Sequence, residues 1–67
     1  MPMFYAFFDK EEIRKHGIDL AKVAGPHQAR CTEGHVYSVL CSQALHDPKY
    51  DRLDKDPKYV KKVVSGN

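Results

Sequence analysis

The apolar and polar positions along the chain predict a short N-terminal strand followed by several short helices. The run Met3 to Phe8 contains four aromatic residues. Its apolar side chains fall at both odd and even positions, which is typical of a strand buried on both faces. A helix is expected next, because Asp9 is a suitable N-cap, Glu12 occupies the capping-box position and Gly17 suits a helix end. A second short helix is expected over residues 19–24, before Gly25-Pro26.

The central stretch from Thr32 to His46 has two interpretations. As a helix capped by Thr32 and ended by Asp47-Pro48, it collects one broad apolar face, made of Val36, Tyr37, Leu40, Cys41, Ala44 and Leu45. As a strand, residues 35–41 are rich in β-forming side chains, and residues 29–41 would form a β-hairpin with its turn at Glu33-Gly34. We favour the helix, because strict alternation would divide the large apolar residues between two faces.

A short repeat organises the C-terminal third. Asp47-Pro-Lys-Tyr50 recurs as Asp56-Pro-Lys-Tyr59, and each copy offers an Asp cap with Pro at the first helical position. We predict one helix from Asp47 to Lys55 and another from Pro57 to about Val64. The chain is therefore predicted to be a single helix-rich α+β domain over residues 1–67, with an N-terminal strand followed by three to four short helices.

Size and charge narrow the functional classes. A chain of 67 residues buries only about 60% of its unfolded surface, so its core is small. The net charge of +2 permits a nucleic-acid or acidic partner without requiring one. The run Met3 to Phe8 is too short to cross a bilayer and lacks the flanks of a signal peptide. We therefore predict a cytoplasmic protein that does not contact a membrane, with Cys31 and Cys41 reduced.

One segment suggests nucleic-acid binding. Leu20-Ala-Lys-Val-Ala-Gly25 resembles the first helix and turn of the helix-turn-helix of bacterial repressors. The resemblance implies a degenerate motif at residues 19–35, with Pro26 and Gly34 departing from the usual pattern. The side chains that would then face nucleic acid are His27, Gln28 and Arg30.

The histidines and cysteines are the candidate residues for metal binding and catalysis. Cys31, His35, Cys41 and His46 could supply a tetrahedral zinc set, and a metal would stabilise a small core. There is no Cys-x-x-Cys element, and on the predicted helix Cys41 points away from His35 and His46. We therefore predict neither a metal nor a cofactor. No glycine-rich phosphate loop, paired-carboxylate pattern or metalloprotease motif is present, so we do not expect an enzyme.

The remaining features favour a small binding protein. Tyrosine with mixed charge is typical of protein interfaces, and the predicted partner-binding residues are Tyr50, Tyr59, Lys58, Lys61 and Lys62. An inhibitor or adaptor that contacts a larger protein is the leading hypothesis. Self-association through Phe4, Tyr5 and Phe7 is expected if the first strand lies at a sheet edge. A nucleic-acid-binding regulator is the main alternative, and a small structural-zinc domain is a minor one.

Overall fold

The computed structural model, which describes residues 1–66, contains three strands and four short helices. The strands are β1 (Met3–Asp9), β2 (His35–Leu40) and β3 (Tyr59–Ser65). The helices are α1 (Lys10–His16), α2 (Pro26–Cys31), α3 (Cys41–Ala44) and α4 (Pro48–Lys55), with one turn of 3-10 helix at Leu20–Lys22. The α+β class predicted from the sequence is confirmed.

The N-terminal strand lies in the middle of the sheet. The strand order is β2-β1-β3, and β1 is antiparallel to both neighbours. Phe4, for example, lies opposite Leu40 on one side and Val64 on the other. The predicted strand is therefore present, but it is not an edge strand, because both of its edges are already paired.

Helices cover both faces of this sheet. The core on one face is formed by Ala6, Phe8, Val23, Ala29 and Val64, with Phe4, Ile13 and Leu20 packed against it. This face lies under α1, the 3-10 turn and α2, and we call it the α1–α2 face. Phe7 points to the opposite face, where the ring of Tyr50 on α4 lies 5.6 Å from its own; we call this the α4 face. The aromatic run has apolar residues at every position because both faces are covered.

Local capping signals explain the elements that the sequence predicts correctly. The Asp9 carboxylate accepts a hydrogen bond from the Glu11 amide at 2.9 Å, and Gly17 ends α1 with a left-handed φ of 63°. Asp19 caps the next element in the same way, through the Ala21 amide at 3.0 Å. That element is a single 3-10 turn and not the predicted helix over residues 19–24.

In the central stretch the favoured helix is wrong, and the alternative of a strand over residues 35–41 is confirmed for residues 35–40. Residues 35–40 form β2 and residues 41–44 form α3, so no helix runs from Thr32 to His46. The hairpin alternative is also wrong, because residues 29–31 belong to α2 and β2 pairs with β1. Thr32 ends α2 and does not cap a helix, since its hydroxyl donates to the Gln28 carbonyl at 2.7 Å. The apolar residues of β2 do divide between two faces, and helices cover both.

The C-terminal segment is also a strand where a helix was predicted. The first Asp-Pro-Lys-Tyr copy begins α4, which runs from Pro48 to Lys55 as expected. After the second copy the chain continues as β3 along β1. The β-branched residues Val60, Val63 and Val64 suit a pleated, half-buried surface, and β1 supplies a partner that local periodicity does not reveal. Within residues 1–66, none of the helices has the length and apolar character required to cross a membrane.

Candidate partner-binding surface

The first Asp-Pro-Lys-Tyr copy fixes α4 to the sheet. One carboxylate oxygen of Asp47 accepts a hydrogen bond from the Lys49 amide at 2.9 Å, which caps α4. The other accepts a hydrogen bond from the hydroxyl of Tyr37 on β2. This bond lowers the pKa of Asp47 and raises that of Tyr37. Asp47 therefore sets both the start of α4 and its position over β2.

The second Asp-Pro-Lys-Tyr copy forms the same local turn as the first, but it leads into a strand. The Asp56 carboxylate accepts from the Lys58 amide at 2.9 Å, as Asp47 does from Lys49. The Lys58 ammonium lies 3.5 Å from the carboxylate of Asp9, whose charge raises the pKa of Lys58. It also lies 5.7 Å from the ring centre of Tyr59. The same four residue types thus begin a helix in one place and lead into a strand in the other.

The two copies provide a matched pair of variants. Asp47→Ala should lower the urea midpoint of unfolding roughly twice as much as Asp56→Ala, because Asp47 accepts hydrogen bonds from both a backbone amide and Tyr37. The depressed pKa of Asp47 means that its contribution is present above its unfolded value, about 3.9, and is lost as the pH falls through the lower folded value. The difference between the variants should therefore shrink below about pH 4. Equal midpoints at neutral pH would contradict the assigned role of Tyr37.

Tyr50 and Lys61, two of the predicted partner-binding residues, come together on the α4 face. The ring of Tyr50 lies 5.2 Å from that of Tyr5. The Lys61 ammonium donates to the Tyr50 hydroxyl at 3.1 Å and pairs with Asp54 at 3.0 Å. It also lies 4.7 Å from the centre of the Tyr5 ring. The hydrogen bonds to Tyr50 and Asp54 raise the pKa of Lys61, so these contacts favour its charged form.

The three predicted lysines do not form one basic patch. Strand alternation places Lys61 and Lys62 on opposite faces of the sheet. Lys61 and Lys58 are paired with Asp54 and Asp9 respectively. Within residues 1–66, Lys62 has no carboxylate at ion-pair distance. The free positive charge of this region is therefore Lys62, which lies on the α1–α2 face.

Two exposed apolar side chains adjoin the Tyr50–Lys61 cluster. Met3 is 41% exposed and Val63 is 47% exposed. Val63 lies directly opposite Tyr5 in the β1–β3 register, and Met3 is the next residue of β1 on the same face. Neither is among the partner-binding residues predicted from the sequence. The alternation of a strand would have placed Lys61 and Val63 on one face.

The residues predicted for self-association are largely used within the fold. Phe7 is fully buried, while Phe4 and Tyr5 are half-buried. Because both edges of β1 are paired, a second copy could not add to this strand as the sequence suggested. Self-association through another surface stays a prediction.

The residues predicted to face nucleic acid lie on α2, whose six residues follow the 3-10 turn. His27 and Arg30 are exposed. The side chain of Gln28 accepts a hydrogen bond from the Ala24 amide at 2.8 Å, which ties it to its own turn. Residues 20–22 form only one 3-10 turn and α2 ends at Cys31, so the segment 19–35 does not form a helix-turn-helix.

The candidate zinc ligands are distributed over different elements. Cys31 ends α2, His35 begins β2, Cys41 begins α3 and His46 follows α3. In the part of the chain that the structure describes, no three His, Cys, Asp or Glu side chains are grouped so that they could hold a metal ion. Cys41 instead lies near Tyr5 and raises the pKa of its phenol.

His35 is a half-buried histidine with an unusual environment. Its Nε2 atom is buried and has no hydrogen-bond partner among the described residues, and its ring lies 5.9 Å from that of Phe8. Burial lowers the pKa of His35, and the positive charge of Arg30 lowers it further. The neutral ring is therefore the form that the fold accepts.

Stability should fall when His35 becomes protonated. Because its folded pKa lies below the unfolded value of about 6.5, the unfolded chain binds the proton first, and stability present above that pH is lost as the pH falls. The urea midpoint should therefore fall as the pH drops below about 6.5, and His35→Leu should flatten that dependence. His27→Gln, at an exposed position, is the control. An unchanged pH dependence in His35→Leu would contradict this role.

Comparison of the chain with protein-family models, curated proteins and solved structures finds no match. Its function therefore has to be inferred from its own residues.

Proposed function

We propose that this chain is a non-enzymatic binding protein that regulates a larger protein by contact, as an inhibitor or adaptor. The observation that carries the proposal is the pair of exposed apolar residues, Met3 and Val63, beside the Tyr50–Lys61 cluster. Exposed apolar side chains bordered by polar residues are typical of interaction sites. Tyrosines are also frequent among the residues that dominate binding energy.

The charges of this surface favour a protein over nucleic acid. Phosphate binding relies on several lysines or arginines that neutralise the backbone together. Here Lys58 and Lys61 are paired with Asp9 and Asp54, so much of their charge is balanced within the fold. A surface that combines apolar, aromatic and balanced charged groups suits a protein partner. A reducing compartment such as the cytoplasm fits this proposal, because Cys31 and Cys41 are free thiols.

Site-specific photo-crosslinking in the native cell tests the proposal. A benzophenone amino acid replaces Tyr59, a half-exposed aromatic residue of β3, and in a control it replaces Lys15, an exposed residue of α1. The expected result is a discrete protein adduct from position 59 that is absent from position 15. Adducts with nucleic acid, or the same set of proteins from both positions, would contradict the proposal.

The captured partner allows a quantitative second step. With both proteins purified, Tyr59→Ala should weaken binding about tenfold or more, as expected of an interface tyrosine, whereas Lys15→Ala should leave the affinity unchanged. Calorimetric titration measures both affinities, and thermal melts show that the variants remain folded. Equal effects of the two substitutions would place the contact elsewhere.

A further inference from the structure

The outer edge of β3 carries unpaired backbone N–H and C=O groups. The hydrogen bonds at the two ends of the strand show which residues these groups belong to. The Gly66 amide donates to the Pro2 carbonyl at 2.7 Å, and the Lys10 amide donates to the Lys58 carbonyl at 3.0 Å. In an antiparallel pair, hydrogen-bonded and non-hydrogen-bonded positions alternate. The even-numbered residues of β3 therefore bond to β1, and the odd-numbered residues direct their N–H and C=O groups outwards.

Only the middle of this edge is available for pairing with another strand. The Tyr59 amide is already bonded to the Asp56 carbonyl at 3.3 Å. At the other end, the Ser65 carbonyl oxygen lies 3.0 Å from where a Cβ on Gly25 would stand, so the start of α2 closes the edge there. Lys61 and Val63 remain, and in residues 1–66 no strand pairs with this side of β3.

We propose that β3 accepts an extended segment of the partner protein as a fourth strand, with an acidic side chain beside Lys62 and an apolar one beside Val63. This inference rests on the proposed function and names the partner's binding element. The N–H and C=O groups of Lys61 and Val63 supply the backbone bonds of such strand addition. Strand alternation then places the partner's residues in register with Lys62 on one face and with Val63 on the other.

The side chains of Lys62 and Val63 favour such a segment of the partner protein. On the α1–α2 face Lys62 has no carboxylate partner among the described residues, so an acid at the opposite position of an added strand makes a favourable cross-strand pair. On the α4 face Val63 is 47% exposed, and an apolar neighbour removes that surface from water. The fitting segment therefore has an acidic residue directly next to an apolar one.

The β3 strand of a second copy of the chain does not pair well with this edge. The antiparallel alignment with the longest overlap places Lys62 directly opposite Lys62 of the other chain, and like charges in that position are destabilising. Sliding by one hydrogen-bonded pair in one direction opposes the two Lys61 residues. Sliding in the other direction requires Ser65, whose carbonyl is enclosed by Gly25. An acidic segment of a different protein avoids all three conflicts.

Peptide titration followed by nuclear magnetic resonance tests the inference. The probe is a short capped peptide that alternates valine and glutamate, and the matched peptide has lysine in place of glutamate. With the isotope-labelled protein, we expect the acidic peptide to shift and protect the amides of Lys61 and Val63, while the basic peptide binds about threefold or more weakly. Lys62→Glu should reverse this preference, and Lys15→Glu on α1 should preserve it.

The alternative explanation is that the lysines of β3 only protect the edge from association. No binding of the acidic peptide, equal binding of both peptides, or shifts that map away from β3 would each overturn the inference. The peptide titration and the crosslinking experiment distinguish a failure of this inference from a failure of the proposed function. A protein captured at position 59 together with unprotected Lys61 and Val63 amides would leave a binding protein that does not use strand addition. Protected Lys61 and Val63 amides without a captured protein would support strand addition at β3 and contradict the proposed function.

Discussion

Phe8→Ala should remove a large share of the stability of the domain. The side chain is fully buried in the core on the α1–α2 face, against Val23, Ala29 and Val64. Truncating a buried phenylalanine to alanine costs about 3–5 kcal/mol, through lost transfer energy and the cavity left behind. A domain of this size has about 3–10 kcal/mol of total stability, so the loss is a large share of the total.

Urea unfolding followed by circular dichroism measures this effect. Val63→Ala is the matched control, because Val63 lies on the same sheet but is 47% exposed, and its truncation should cost less than about 1 kcal/mol. Similar midpoints for the two variants would contradict the assignment of Phe8 to the core. The control also shows whether variants of the candidate surface can be studied in a folded protein.

Gly34→Ala should destabilise the fold more than Gly17→Ala. Gly34 has a φ of 85°, and an added Cβ would lie 3.0 Å from the Cβ of Glu12 and 3.1 Å from the Cδ1 of Ile18. Its carbonyl accepts the Asp9 amide at 2.9 Å, so the loop is held between β1 and α1. Conformational strain and steric conflict together should cost about 2–4 kcal/mol.

The Gly17→Ala variant separates the conformational strain from the steric conflict. Gly17 also has a left-handed φ, 63°, but a Cβ there would meet nothing within 4 Å. This variant should lose only the conformational term, about 1 kcal/mol. Urea midpoints of the two variants give the difference directly. If Gly17→Ala proved as destabilising as Gly34→Ala, contact of the loop with Glu12 and Ile18 would not be the cause.

The sequence predicts those elements whose signals are local. Asp9 with Gly17 bounds α1, and Asp47 with Pro48 begins α4, because a cap acts on amides within its own turn. The strand β2 is only the less favoured interpretation, and β3 is missed, for the opposite reason. Their pairing partner β1 lies far away in sequence, and helices on both faces remove the alternation that identifies a half-buried strand.

The candidate surface could be predicted only in part. Tyr50 and Lys61 were selected from composition, and the fold brings them into hydrogen-bond contact. Asp54, which pairs with Lys61, could not be placed beside it until the following segment was known to be a strand. The exposure of Met3 and Val63 depends on how much of the sheet α4 covers, which no local pattern specifies.

The central position of β1 has a consequence for the order in which the molecule can assemble. During synthesis the aromatic strand β1 is made before β2 and β3, and β3, which occupies one of its two edges, is the last of the three strands. Until then β1 exposes backbone groups and aromatic rings, a template for pairing with other chains. Because the sheet depends on contacts between distant parts of the chain, its folding should be slow for its size. A nick that releases β3 would return the folded protein to that aggregation-prone condition.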